Sequence, residues 1–262
     1  MNTLPSQVAS LRQGLPTHLP PAGPELLVGL DIDGTLVDHD QHMSPAVGEA
    51  VAALIDSGTH VVLASGRSAS AVEELLATLG LSTGWAVCSN GAVCLRLDAG
   101  LDDGYEISDT VTFDPQPALR TLRHELPEAL FAVEESGRRF KVSSPFPMGE
   151  LTGEIDVVDF EDLCATPATR VTMRAPHLDA DDFHALVQRV GLHGVSYAVG
   201  WSAWLDIAPD GISKASALDM LRWAGYGIAM GSADEETQRA ADLVTAPVAN
   251  DGAVAVLRAL LN

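Results

Sequence analysis

Apolar residues along this chain fall into short runs and helical stripes that alternate in a regular order. Leu26-Leu27-Val28-Gly29-Leu30 runs into Asp31-Ile32-Asp33-Gly34-Thr35-Leu36. This predicts a strand buried on both faces, as in a parallel sheet, that ends in two carboxylates. Ser44-Pro45 is a helix start, and Val47, Val51, Leu54 and Ile55 keep helical spacing until Gly58. His60 to Ala64 predicts a second buried strand, followed by Ser65-Gly66-Arg67 and a helix over about 70–79 that Gly80 ends. Trp85 to Cys88 predicts a third strand, and the Asn-Gly pair in Ser89-Asn90-Gly91 is a hairpin signal. Strand, helix, strand, helix, strand in this order predicts an α/β protein with a parallel sheet.

From about Val93 to Trp204 the texture changes. Predicted helices over 115–126 and 181–190, and strands over 130–134, 140–143, 170–174, 195–199 and 203–207, are joined by turns rich in Gly, Pro and Asp. The mixture predicts a separate α+β unit over 93–204, inserted into a core made of 25–92 and 205–262. Beyond it, a helix over 215–223, a strand near 227–231, another over 241–245 and a last helix carrying Val254, Leu257 and Leu261 are expected. Residues 1–24 carry Pro5, Pro16, Pro20, Pro21 and Pro24 without a long apolar run, and read as a flexible leader with neither signal nor membrane span.

Acidic residues outnumber basic ones 36 to 15, for a net charge of -21, which argues against nucleic acid and anionic membranes as partners. Lys141 and Lys214 are the two lysines. Cys88, Cys94 and Cys164 are an odd number without metal-type or redox-type spacing, so reduced thiols in a soluble, cytoplasmic protein are expected.

Candidate chemistry begins at Asp31 and Asp33, which alternation puts on one side of the chain, with Gly34 allowing a sharp turn just beyond. Alone, this is equally an acidic turn closing a strand. Ser65 offers a hydroxyl at a strand's carboxyl end, beside a glycine and ahead of a helix, where it can donate to a phosphoryl oxygen. Lys214 lies between Ser213 and a helical stretch, so its ammonium group can sit beside the same site. His39 and His42, in the polar loop after the first strand, read as solvated bystanders.

In this order, Asp31-Ile32-Asp33-Gly34-Thr35, Ser65-Gly66-Arg67 and Lys214 resemble the first three motifs of the haloacid dehalogenase superfamily, and Asn90-Gly91 is similar to the entrance to the cap in its Cof-type branch. The resemblance covers roughly residues 25–262. It implies a Rossmann-like, doubly wound parallel sheet with an inserted α+β cap, and a Mg²⁺-dependent phosphatase of small phosphorylated metabolites, sugar phosphates first. By the same resemblance Asp31 is the nucleophile that becomes an aspartyl-phosphate, and Asp33 is the acid and base. Ser65 and Lys214 stabilise the transferring oxygens. Thr35, Gly66, Arg67, Asn90 and Gly91 lie on the substrate side, and Asp31 with the Asp33 carbonyl holds Mg²⁺. Arg138, Arg139, Lys141, Arg170 and Arg174 are the candidate cap contacts.

The fourth motif of the family, a Gly-Asp with a further Asp a few residues on, is absent between Lys214 and Met230. The sequence reads as though about 25 residues, the size of one helix, one strand and their loops, were missing near Leu218-Asp219. A second alignment lets Gly227 to Gly231 stand beside the first strand and makes Asp234 or Glu235 a substitute metal ligand. The plainer reading is that Asp234-Glu235-Glu236 opens an acidic first helical turn. Weak Mg²⁺ binding is expected, and two alternatives stay open: a catalytically weak or inactive metabolite-binding member, and a phosphomutase.

Overall fold

The structure, a computed structural model, describes residues 3–199, 203–212 and 221–261. The predicted helix over 215–223, Lys214 and the Leu218-Asp219 junction lie on or across the remaining residues and so fall outside the described part.

The first sheet has the order β1 (Leu27–Asp31), β2 (His60–Ala64), β3 (Thr83–Cys88), β4 (Val93–Asp98), β5 (Tyr105–Thr110). The first three strands are parallel and the last two antiparallel. Helix α2 (Pro45–Asp56) starts on Pro45 after Ser44, and α3 (Ala69–Leu79) is capped by the Ser68 side chain, which accepts from the Ala71 amide. Gly80 ends α3 in the left-handed region, φ 70°, where a side chain would be strained. These helices, with α8 (Gly252–Leu260), bury Val51, Leu54, Val72, Leu76, Val254 and Leu257 against Leu30, Leu63, Ala86 and Leu95 of the sheet.

A second sheet follows, ordered β10 (Val195–Val199), β11 (Trp204–Pro209), β9 (Arg170–Arg174), β6 (Leu130–Glu135), β7 (Arg139–Val142), β8 (Glu154–Val157). One face is apolar: Phe131, Val133, Val171, Met173, Leu205 and Ile207 pack on α4 (Gln116–Glu125), α5 (Phe160–Ala165) and α6 (Ala180–Val190) through Leu119, Leu122, Leu163, Phe183 and Val187. The period-2 rule sends Glu134, Arg170, Thr172 and Asp206 to the other face.

Three features differ from the sequence reading. Residues 4–14, inside the expected flexible leader, form helix α1 (Leu4–Gly14), because Pro5 sits in its first turn, where proline is tolerated. Leu4, Val8, Leu11 and Leu15 then recur at helical spacing and pack on Ala255 and Ala259 of α8. Hairpin β4–β5, within 93–204, completes the first sheet rather than the second. Finally, the strand expected near 227–231 is the two-residue β12 (Ile228–Ala229), which pairs in parallel with β13 (Leu243–Val244) instead of β1. Two residues give too short a ladder to extend the first sheet, and among the described residues the strand paired to β1 is β2.

No helix among the described residues is long and apolar enough to cross a membrane. Phe183 is fully buried in the second core. Phe183→Ala is expected to cost about 3–5 kcal/mol, read as a fall in the urea midpoint at unchanged slope.

Candidate active site

Asp31 closes β1, and the chain beyond it is gathered by one atom. The carbonyl oxygen of Ile32 accepts the amides of Thr35 (3.2 Å), Leu36 (2.9 Å) and Val37 (3.1 Å), and the Gly34 amide donates to the Val37 carbonyl at 2.9 Å. Gly34 stands at φ 76° to make this turn. Ile32, Leu36 and Val37 are buried, so the loop is anchored from below while Asp31 and Asp33 stay at its rim. Thr35 Oγ1 donates to Asp31 Oδ2 at 3.3 Å.

The β1–β2 register pairs Asp31 with Ala64, so Ser65 follows directly at the carboxyl end of the neighbouring strand. Adjacent strands are about 4.8 Å apart, which brings Asp31 and Ser65 to one edge. Ser65 is buried and its Oγ accepts the Arg67 amide at 3.1 Å. A Cβ on Gly66 would meet Asn90 Oδ1 at 2.8 Å, so glycine here lets the Asn90 side chain lie against the loop. Thr35, Gly66, Arg67 and Asn90 thus come together around the ends of β1 and β2, with Gly91 next in the chain. Asn90 and Ser89 form the expected β3–β4 turn with left-handed φ of 58° and 50°.

Arg67 does more than flank the site. Its Nε donates to Asp33 Oδ2 at 3.1 Å and its Nη2 to Asp33 Oδ1 at 2.6 Å. Gln41 joins them, donating to Asp33 Oδ1 at 3.4 Å and accepting from Arg67 Nη2. Asp33 and Arg67 lie 34 residues apart, so no local pattern signals the pair.

His39 and His42 are exposed, and the loop around them is shaped by Asp38 Oδ1, which accepts the amides of Asp40 and His42. The cations expected to act as cap contacts have protein partners: Arg138 pairs with Asp103, Arg139 with Glu154, Lys141 with Glu135, Arg174 with Glu150, and Arg170 with Glu134. Glu134 and Ser89 were not singled out by sequence reasoning. A carboxylate ending an apolar strand, Leu130 to Glu134, is the one signal that could have drawn notice. Beside them, burial first and then the Glu134 charge push the Cys88 thiol up to about 12, which keeps it protonated and unreactive.

Asp234 caps helix α7 (Glu235–Ala240): its Oδ1 accepts the Thr237 amide and its Oδ2 the Thr237 hydroxyl, each at 2.8 Å. The main-chain bond, then the hydroxyl, hold its carboxyl below the usual range. Among the described residues no three His, Cys, Asp or Glu side chains gather into a metal-type group.

Carboxylates and a hydroxyl thus stand at the carboxyl ends of adjacent parallel strands, the edge at which open α/β sheets bind ligands. The haloacid dehalogenase-like hydrolase family model matches residues 28–120 and 218–257, and the chain belongs to that family. YkrA of Bacillus subtilis (strain 168), which carries a phosphatase name, is 27% identical over 254 residues, covering 86% of this chain and 94% of that protein. The pyridoxal phosphate phosphatase YbhA of Escherichia coli (strain K12) is 25% identical over 263 residues, covering 83% and 92%. Among solved structures, the subclass IIB sugar phosphatase BT4131 shares the fold with a TM-score of 0.69 at 21% identity, over 87% of this chain and 96% of that one.

The Asp234 cap has a testable sign. A carboxyl whose folded pKa is depressed stabilises above the ordinary carboxylate range, and that contribution is lost as pH falls through the folded value. Asp234→Ala should therefore lower the melting temperature at neutral pH, with the gap to the wild type closing in acid.

Proposed function

We propose that the chain is a phosphoric monoester hydrolase acting on small phosphorylated metabolites, sugar phosphates first, through an aspartyl-phosphate on Asp31. The observation that carries this reading is the β1–β2 register, Asp31 opposite Ala64, which sets a carboxylate and the Ser65 hydroxyl at one sheet edge. Asp31 attacks phosphorus and the alkoxide departs, so one hard displacement becomes two. Asp33 gives a proton to that alkoxide and takes one from the water that hydrolyses the intermediate. Ser65, and by its place in the sequence Lys214, offset charge on the transferring oxygens. Thr35, bonded to Asp31, holds the nucleophile's carboxylate in orientation. Arg67 grips both oxygens of Asp33, so this fork must let go for proton transfer, and an arriving phosphoryl group is a natural competitor for a guanidinium. In this reading the unit carrying the second sheet, whose strands run from Leu130 to Pro209, acts as the cap that selects the substrate and excludes water.

The donor chemistry suits Mg²⁺, a hard cation that keeps several waters and needs one or two carboxylates. The Asp31 carboxylate and the Asp33 main-chain carbonyl would hold it, and when bound it would neutralise phosphoryl charge. So small a protein ligand set predicts weak affinity. The absent Gly-Asp-x-x-x-Asp pattern between Lys214 and Met230 favours a second reading, a weak or non-catalytic binder of the same metabolites.

The test is phosphate release from a panel of sugar phosphates across a Mg²⁺ titration. Turnover that saturates only at millimolar Mg²⁺, falls about a hundredfold in Ser65→Ala and drops to background in Asp31→Asn is expected. Full turnover in Asp31→Asn would overturn the mechanism. Sugar-phosphate binding without turnover at any Mg²⁺ level would favour the second reading.

A further inference from the structure

The three consecutive carbonyls of Ser65, Gly66 and Arg67 are each held by a donor from elsewhere in the chain. The Asn90 amide donates to Ser65 O at 3.1 Å and the Ser89 amide to Arg67 O at 2.8 Å. The middle carbonyl, Gly66 O, accepts from Arg170 Nη1 at 2.7 Å, and Arg170 belongs to the second sheet. Arg170 is in turn fixed by Glu134, its direct partner across β6 and β9, whose Oε2 accepts Arg170 Nε at 2.7 Å. The other oxygen of Glu134 accepts the Ser89 hydroxyl at 2.5 Å. The circuit closes: Ser89 and Arg170 both grip the Ser65–Arg67 loop, and Glu134 ties them to each other.

This circuit is out of water. The Glu134 side chain is 0% exposed and that of Arg170 8%. Asp206 flanks Arg170 Nη1 at 3.8 Å, and the Phe140 ring lies 5.6 Å from the guanidinium carbon. A buried ion pair seldom adds stability beyond what apolar residues of similar volume would give, so net stabilisation does not explain the pair here, whereas control of geometry does. Further bonds dock the second sheet's turns on the start of α3: the Ala69 amide donates to Gly137 O at 3.0 Å, and the Ser68 and Ser70 hydroxyls donate to Thr152 O and Arg138 O, each at 3.4 Å. Ser89 keeps a left-handed backbone that serine adopts rarely, beside Asn90 in the same region, which asparagine tolerates.

We propose that Glu134 and Arg170 are positioning residues through which the docked second sheet sets the main-chain path of Ser65–Gly66–Arg67, so that the Ser65 hydroxyl is aligned only while that sheet is docked. The proposal deepens the phosphatase reading and rests on it for the role of Ser65. The Arg170 fork is needed because one side chain must reach a carboxylate and a carbonyl at once, which a lysine ammonium on its single stem does not reproduce.

The experiment compares the full chain with Arg170→Lys, Arg170→Met, Glu134→Gln and the milder Ser89→Ala, and takes Arg120→Ala, an exposed partner of Glu161 on α4, as control. Amide hydrogen exchange is read first, since it needs no turnover. Exchange at Arg67, Ser89 and Asn90 should quicken about tenfold or more in the Arg170 and Glu134 variants, with the β1–β2 ladder unchanged. With p-nitrophenyl phosphate, kcat should fall about tenfold to a hundredfold, as misplacement of a stabilising group by about an ångström does, while KM stays within about threefold. Arg170→Lys should not rescue either readout, and Arg120→Ala should move neither. Should the Arg170 variants fail to fold, Ser89→Ala carries the same comparison. Unchanged exchange at the three amides overturns the proposal, as does quickened exchange with undiminished kcat. A wild type that turns over no phosphate ester would defeat the phosphatase reading, and the exchange measurement would still decide whether Glu134 and Arg170 fix the loop.

Discussion

Parallel pairing of Leu27–Asp31 with His60–Ala64 is the constraint on which the site depends, and apolar burial is what fixes it. Leu30 and Leu63 are partners in that ladder and lie 7% and 0% exposed. A slip of one residue would turn these side chains to the opposite face, so the register that buries them also delivers Asp31 and Ser65 to the same edge. Each later layer adds to this one. The Ile32 carbonyl gathers three amides and folds the chain back over the end of β1. Ser89 and Asn90 hold the loop after β2 from the side, and Glu134 and Arg170 hold it from the second sheet.

Charge is distributed in keeping with that design. With 36 acidic residues against 15 basic ones, unpaired cations would be scarce wherever they stood, and the arginines of 138–174 have carboxylate partners within the protein. Arg67, outside that group, reaches the rim of the site and does so on Asp33. Among the described residues, an anionic group at this edge would meet the Ser65 hydroxyl and an arginine that must change partners. That arrangement favours a ligand able to compete with a carboxylate for a guanidinium, which phosphate can do.

Much of this was legible in the sequence where the signal is local. The apolar run before Asp31, the Ser44-Pro45 start of α2, the Gly80 stop of α3 and the Asn-Gly turn after β3 each rest on a handful of adjacent residues. Helix α1 was hidden because prolines were read as breakers, whereas Pro5 falls in a first turn. Strand β8 was hidden because its alternation, Glu154-Ile155-Asp156-Val157, is only four residues long, and the two apolar side chains stay exposed rather than marking a core face. The assignment of β4 and β5 to the first sheet depends on which sheet edge is vacant, a question of tertiary structure that strand propensity does not address. The Asp33–Arg67 and Ser89–Glu134 contacts span 34 and 45 residues. No periodicity encodes them: the first exists only once β1 and β2 have paired, and the second only once the two sheets have docked.

The central claim is that the Asp31 carboxylate takes up the phosphoryl group. Acid-quenched reaction with acetyl phosphate, followed by peptide mass spectrometry, tests it most directly. One phosphoryl group on the peptide carrying Asp31, absent from Asp31→Asn, is the predicted result; turnover with no phosphoryl-protein species, or with the label on another residue, would contradict it.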